Sequence, residues 1–302
     1  MATFPYVTDV FNAVFGTQWN LPIPTFGILV AIAVVLATSI AMRVVKGYEG
    51  LGKLPPRSHA IVADMAVVSA LAGIVGARVF DILDNLDRFV TDPISMILTR
   101  TGFSIYGGLF FGIAAGAIFV KRRSVPVIPM LDATAPAMML GYGIGRLGCQ
   151  IAGDGDWGIA ANMALKPSWL PEWLWAQTYD GNIAGAIIAP PGVYPTPIYE
   201  TTMALAIFWV LWRLRSHNNR AGYLFSVYLL LAGFERLLIE KIRINARYDL
   251  FGAHVTQAEA ISFLLIFAGL FGVLATLRSN RFWTRVIVSV GVLSALSACA
   301  LR

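Results

Sequence analysis

Charge is what this sequence has least of. Asp, Glu, Lys and Arg together make up 13% of its 302 residues, against about 25% in an ordinary soluble domain. With 57% hydrophobic residues and a mean hydropathy of +0.69, that scarcity excludes a soluble globular class and makes lipid the solvent. Cysteine is nearly absent too. Cys149 and Cys299 stand 150 positions apart in different apolar runs, which excludes a disulfide framework and a CxxC metal site. The three histidines, His59, His217 and His254, are scattered, so neither a metal nor a cofactor is expected. No Lys or Arg precedes Arg43 and no small-residue cleavage pattern stands ahead of it, so the first apolar run is expected to be a permanent span. A net charge of +6 would point to nucleic acid in a soluble protein. Here the basic residues are distributed loop by loop, which reads as membrane topology and excludes a nucleic-acid partner.

What is present is a series of apolar runs. They predict an all-α, polytopic membrane helix bundle, a single transmembrane domain over residues 1–302, with spans at about 25–45, 60–83, 103–120, 129–152, 198–214, 223–242 and 258–277. A last apolar stretch, 286–301, is an eighth span or an interfacial tail. The first 24 or so residues, with Pro22 and Pro24, read as an interfacial segment. Residues 154–197 hold Trp157, Trp169, Trp173 and Trp175 and are expected to form an outer cap with little structure of its own. Thirteen Lys and Arg fall in the loops assigned inside and seven in those assigned outside, which sets the N-terminus outside by the positive-inside rule.

Three arginines remain, and all lie inside spans: Arg78, Arg146 and Arg236. At 1.5 Å of rise per residue they sit about 20 to 27 Å above the inside ends of their helices, in the outer part of a core roughly 30 Å thick. Glu240 is one turn beyond Arg236, an i,i+4 pair able to orient the guanidinium. Tyr106, Glu200, Asp154 and Asp156 reach the same level from other spans. Any one of these charges can be a snorkelling anchor. Three arginines accompanied by carboxylates at one depth point instead to a shared polar cavity facing the bundle interior. Arginine pairs bind phosphate bidentately, so an anionic lipid headgroup is the natural ligand.

The glycines divide. Gly108 and Gly112, like Gly141 and Gly145, have the small-xxx-small spacing of close helix packing. Gly148, Gly153, Gly155 and Gly158 fall where the fourth span breaks into aspartates, so the backbone is expected to unwind there around the cavity.

At these residues the chain resembles the prolipoprotein diacylglyceryl transferase family, over nearly all the spans. PMLDATAPAMMLGYGIGRLGCQIAGDGDWG is similar to the family's Asp-x-x-x-Pro stretch and Gly-Arg-x-Gly signature. GFSIYGGLFFG resembles its His-Gly-Gly segment, GARVF its Gly-x-Arg element, PTPIYE its Pro-Thr-x-x-Tyr-Glu entry to a span, and GFERLLIEKIR its Arg-x-x-x-Glu helix. The resemblance implies transfer of the diacylglyceryl group of phosphatidylglycerol to the cysteine of a preprolipoprotein signal peptide, with glycerol 1-phosphate released. It implies a monomeric enzyme of the bacterial inner membrane with its site toward the outer leaflet. Arg146, Arg236, Tyr106, Asp154 and Glu240 would then carry the chemistry. Arg78, Gly107, Gly108, Gly148, Gly153, Asp156, Gly158, Glu200 and Arg243 would hold substrate.

The chain also departs from the family pattern. Tyr106 stands where the family has histidine, and a phenol of pKa about 10 is a poorer base than imidazole for a thiol of about 8.5. Cys149 and Ala152 replace an Asn-x-x-Asn pair, Asp154 replaces Glu, Phe26 stands where a Tyr precedes Gly27, and one residue is inserted before Trp157. The general base is left open by these changes. The rival functions are a transporter of anionic lipid and a lipid-binding homologue without catalysis. The absence of an internal repeat and the off-centre arginine layer count against the first.

Overall fold

In a computed structural model of the chain, residues 2–98, 104–216, 220–245, 247–250 and 253–277 are described. Among them the protein is mostly helical. In chain order come α1 (Val7–Phe15), α2 (Thr25–Gly50), α3 (Val62–Asp84), the short α4 (Leu86–Thr91) and α5 (Pro93–Leu98), α6 (Ile105–Arg122), α7 (Val127–Ala152), α8 (Thr196–Leu214) and α9 (Tyr223–Glu240). A hairpin of β1 (Arg247–Leu250) and β2 (Ala253–Thr256) then leads into α10 (Gln257–Leu277). Each of the seven expected spans is a helix. Four stretches, Thr25–Gly50, Ser58–Asp84, Val127–Ala152 and Gln257–Leu277, are long and apolar enough to cross a membrane. The stretch 286–301 lies outside the described residues.

The helix boundaries follow from local chemistry. Pro195 precedes α8 and Pro197 sits in its first turn, where the missing N–H costs no helical bond. At the start of α10, Thr256 and Glu259 form a reciprocal capping box, each backbone N–H donating to the other's side chain at 3.1 Å. Lys241, just past α9, donates to Glu259 at 2.6 Å and ties the two helix ends together.

The chain forms two compact units, Met1–Val30 with Tyr142–Arg302, and Ala31–Gly141. In the second, α3 and α6 pack along a seam of glycines. A Cβ on Gly107 would lie 2.2 Å from the Gly76 carbonyl oxygen, and one on Gly112 3.2 Å from that of Ser69. Backbones can approach so closely only where side chains are absent. The packing expected of Gly108 and Gly112 is therefore present. The parallel expectation for Gly141 and Gly145 is corrected in part. A Cβ on Gly145 would touch nothing among the described residues, whereas Gly143 abuts Ala204 of α8, at 3.1 Å. In the first unit Gly233 and Gly269 form a comparable seam between α9 and α10.

The cap departs from expectation. Residues 154–197 contain two short 3-10 helices, Met163–Leu165 and Glu172–Leu174, and isolated bridges pairing Ala160 and Gln177 with Val193. The tryptophans split into two groups. Trp169 and Trp173 are exposed, but Trp157 stacks on Tyr179 with ring centroids 4.9 Å apart, and Trp175 packs on Tyr194 while its indole N–H donates to the Asn162 carbonyl at 3.0 Å. These are the aromatic core of a small folded cap, a use that composition alone does not separate from a membrane-interface role.

Candidate active site

The polar groups of the first unit converge on the carboxylate of Glu200, which is fully buried in the first turns of α8. Arg146 Nη2 from α7 and Arg243 Nη1 from beyond α9 each lie 3.4 Å from its Oε1, and Arg236 Nη1 from α9 lies 3.7 Å away. The Tyr142 hydroxyl, one turn before Arg146, donates to the same oxygen at 3.1 Å. An unpaired carboxylate here would carry a desolvation penalty of several kcal/mol. Three guanidinium groups and a phenol are what hold it.

Each arginine has a second anchor. Arg146 and Arg243 both donate to Asp156, one to each oxygen of its carboxylate. Arg146 also lies over the Tyr142 ring, 5.3 Å from its centroid. Arg236 Nη2 meets Glu240 Oε2 at 2.9 Å, the expected i,i+4 pair, and Asn245 donates to both oxygens of Glu240 at 2.7 and 2.8 Å. Two buried donors, Arg236 Nη1 and Arg243 Nε, have no hydrogen-bond acceptor among the described residues.

The local fold explains how these side chains meet. The α7 helix runs unbroken through Gly148 to Ala152, so the unwinding expected from Gly148 onward begins only at Gly153. Gly148 is instead a packing residue, 3.1 Å from the Phe26 ring by its absent Cβ. Gly153 and Gly155 then adopt φ of +64° and +99°, a left-handed region open to glycine at little cost, and turn the chain back. Asp156 is fixed by Thr196, whose hydroxyl donates to its carbonyl at 2.8 Å. Gly158 bridges Arg243, and a Cβ on it would stand 2.5 Å from the Ile242 carbonyl oxygen. That close approach lays the cap strand on the residues leaving α9 and brings Arg243 to Asp156.

Of the residues predicted for the site, Arg146, Arg236, Arg243, Asp156, Glu200 and Glu240 are gathered here. Asp154 is exposed and accepts only from the Asp156 amide, at 3.3 Å, among its described hydrogen bonds, so Asp156 and not Asp154 is the carboxylate paired with Arg146. Arg78, Tyr106, Gly107 and Gly108 belong to the second unit. There Arg78 donates to Asp81 at 3.1 Å, Tyr106 lies in the first turn of α6, and Gly107 and Gly108 line the α3–α6 seam. Sequence reasoning misses Tyr142, Glu235 and Asn245. Glu235 was open to detection, since a carboxyl within an apolar span is as costly as the arginine next to it.

Below the cap's aromatic core a second buried network joins α7 to the cap. Gln150 donates to Gln177 at 2.7 Å, Tyr179 to Gln150 at 2.7 Å, and Gln177 to the Trp173 carbonyl at 2.6 Å. Burial pushes the Tyr179 phenol above its ordinary pKa, so it stays a neutral donor.

Helices of membrane-crossing length, together with a buried centre of guanidinium and carboxylate groups, define an α-helical membrane protein with an ionic site. The sequence model of the prolipoprotein diacylglyceryl transferase family matches residues 13–275. The chain belongs to that family. Among its relatives, a phosphatidylglycerol–prolipoprotein diacylglyceryl transferase of Leptospira interrogans is 29% identical over 265 residues, 80% of this chain and 77% of the relative. Its namesake from Staphylococcus haemolyticus is 27% identical over 253 residues, 83% of each chain. The one from Corynebacterium glutamicum is 26% identical over 275 residues, 86% of this chain and 81% of the relative.

Proposed function

We propose that this chain transfers the diacylglyceryl group of phosphatidylglycerol to the lipobox cysteine thiol of preprolipoproteins, releasing glycerol 1-phosphate. The observation that carries the reading is the convergence of Arg146, Arg236 and Arg243 on one buried carboxylate. In this reaction the thiolate sulfur attacks the glyceryl carbon that bears the phosphate ester, and the C–O bond breaks with its electron pair going to the phosphate. Negative charge grows on the leaving phosphate, and preplaced guanidinium groups stabilise that charge without reorganising. Arg146 and Arg236 are the clamp, with Arg243 as a third cation beside them. Glu240 orients Arg236, while Glu200 and Asp156 hold the three guanidinium planes in place. The unsatisfied donors Arg236 Nη1 and Arg243 Nε are suited to phosphate oxygens.

The remaining features of the reading are a bundle of seven spans with its N-terminus outside, in the bacterial cytoplasmic membrane, monomeric, with the arginine centre toward the outer leaflet. Tyr106, Arg78 and the glycines Gly107 and Gly108 are assigned to substrate by resemblance alone.

The test is a transfer assay with purified protein, phosphatidylglycerol labelled in its diacylglyceryl part, and lipobox peptides with Cys or Ser at the acceptor position. Label moving to the Cys peptide alone, with glycerol phosphate released, is the expected result. Lipid binding without label transfer would replace this reading with that of a lipid-binding or lipid-transporting homologue.

A further inference from the structure

The centre holds four buried or half-buried carboxyl groups and three guanidinium groups, and the pairing among them is uneven. Asp156, Glu200 and Glu240 each have at least one arginine nitrogen within 4.0 Å. Glu235, 5% exposed on α9, has none among the described residues; its hydrogen bond is to the Tyr142 hydroxyl, 3.4 Å from Oε1. That same hydroxyl lies 3.1 Å from Glu200 Oε1. One phenol carries one hydrogen and can donate to only one carboxylate at a time. With both glutamates ionised, one contact is therefore oxygen against oxygen. A single added proton resolves this: Glu235 O–H donates to the Tyr142 oxygen, and Tyr142 donates to Glu200.

We propose that Glu235, linked through Tyr142 to Glu200, is the acceptor of the substrate thiol's proton, and so supplies the base that the Tyr106 substitution leaves unassigned. The proposal rests on the transferase reading. The proton leaves sulfur and ends on Glu235, the C–S bond forms, the C–O bond breaks, and the phosphate departs with the electron pair. Glu235 loses one negative charge as the monoester gains one, so the charge of the whole centre is conserved. The guanidinium-bound carboxylates are poorer acceptors because arginine N–H groups already occupy their lone pairs. The charged and titratable groups facing Glu235 are Tyr142 and Arg146 from α7, Glu200 from α8, and Arg236 and Tyr228 on α9 itself. From α10 the only charged residue is Glu259, engaged with Lys241 at 2.6 Å.

The experiment measures kcat/KM of the full-length protein against pH with the labelled lipid and Cys peptide, for wild type, Glu235→Gln and Tyr142→Phe. Removing a general base costs about 10²- to 10⁴-fold, so Glu235→Gln is expected to lose at least a hundredfold at pH 7. The loss should shrink steeply toward pH 9.5, where a thiol of pKa about 8.5 ionises unaided. Tyr142→Phe should show a smaller loss with the same alkaline recovery. If Glu235→Gln does not accumulate folded, Glu235→Asp replaces it, with roughly a tenfold loss and the same recovery. A variant at the wild-type rate, or a loss equal at every pH, overturns the proposal while leaving transfer by the wild type intact. Absence of transfer by the wild type sinks the transferase reading, and this proposal with it.

Discussion

Replacing Glu200 by glutamine tests the centre most directly, because the two side chains have nearly the same shape and differ in charge. Glu200 has three guanidinium nitrogens at 3.4, 3.4 and 3.7 Å. At an effective dielectric constant of about 20, each such pair is worth roughly 4–5 kcal/mol before desolvation is subtracted. Removing one member of a buried ionic set costs about 3–5 kcal/mol net. At 1.36 kcal/mol per decade, a loss of that size carried into the transition state lowers kcat/KM by about 10²- to 10³-fold. The remaining carboxylates, Asp156 and Glu240, do not replace it, because each is already committed to its own arginines. Purified Glu200→Gln protein in lipid nanodiscs would be assayed for label transfer, for retention of phosphatidylglycerol and for its thermal midpoint. The expected outcome is a large drop in transfer together with a lower midpoint, both partly restored by Glu200→Asp. A Glu200→Gln protein within threefold of wild type in kcat/KM and equal in midpoint would falsify the role of Glu200 as the post that aligns the arginines.

Other expectations follow from the same geometry. Arg146→Lys and Arg236→Lys keep the charge but lose the forked donors, so each should cut transfer at least a hundredfold with a smaller change in lipid retention; near-normal rates in either would remove its phosphate role. Gly158→Ala places a methyl 2.5 Å from the Ile242 carbonyl oxygen and should cost about 1–3 kcal/mol of stability with loss of transfer, measured by thermal denaturation and label transfer on the same sample. Tyr179→Phe leaves a buried Gln150 oxygen without its donor, so stability should fall by about 1–3 kcal/mol while the catalytic rate of the folded fraction stays within a few-fold. Tyr106→Phe should reduce transfer if the phenol takes part in it, and an unchanged kcat/KM would leave that hydroxyl without a catalytic task.

The helices were legible because lipid writes them plainly. Long apolar runs between basic loops locate all seven, and the cost of charge in such runs singles out Arg146 and Arg236 without any other information. The i,i+4 relation of Arg236 and Glu240 is equally local, and the structure contains it. What pattern and depth could not convey is pairing across helices. Asp154 and Asp156 are equivalent in sequence, but the turn at Gly153 and Gly155 aims only Asp156 at the guanidinium groups. Glu200 reads as one more polar group at the right depth, and its place at the centre depends on three other segments arriving around it. The cap was read as loose because its tryptophans suit a membrane surface. Two of them pack inward on tyrosines, and the partners come from 22 and 19 residues further along the chain.

The two glycines with left-handed backbones after α7 have a consequence for how the chain tolerates change in length. Relative to the family pattern, this chain has one residue more before Trp157. An extra residue in a register-bound strand would move every following side chain to the opposite face. Here the surplus falls in the turn at Gly153 and Gly155, upstream of the point where Gly158 bridges Arg243 and the Ile159 amide bonds the Ile242 carbonyl at 2.8 Å. The turn thus works as an expansion joint. Slack accumulates on its helical side while Asp156 and everything downstream keep their alignment with the arginines, so loop length can drift in this family without the ionic centre drifting with it.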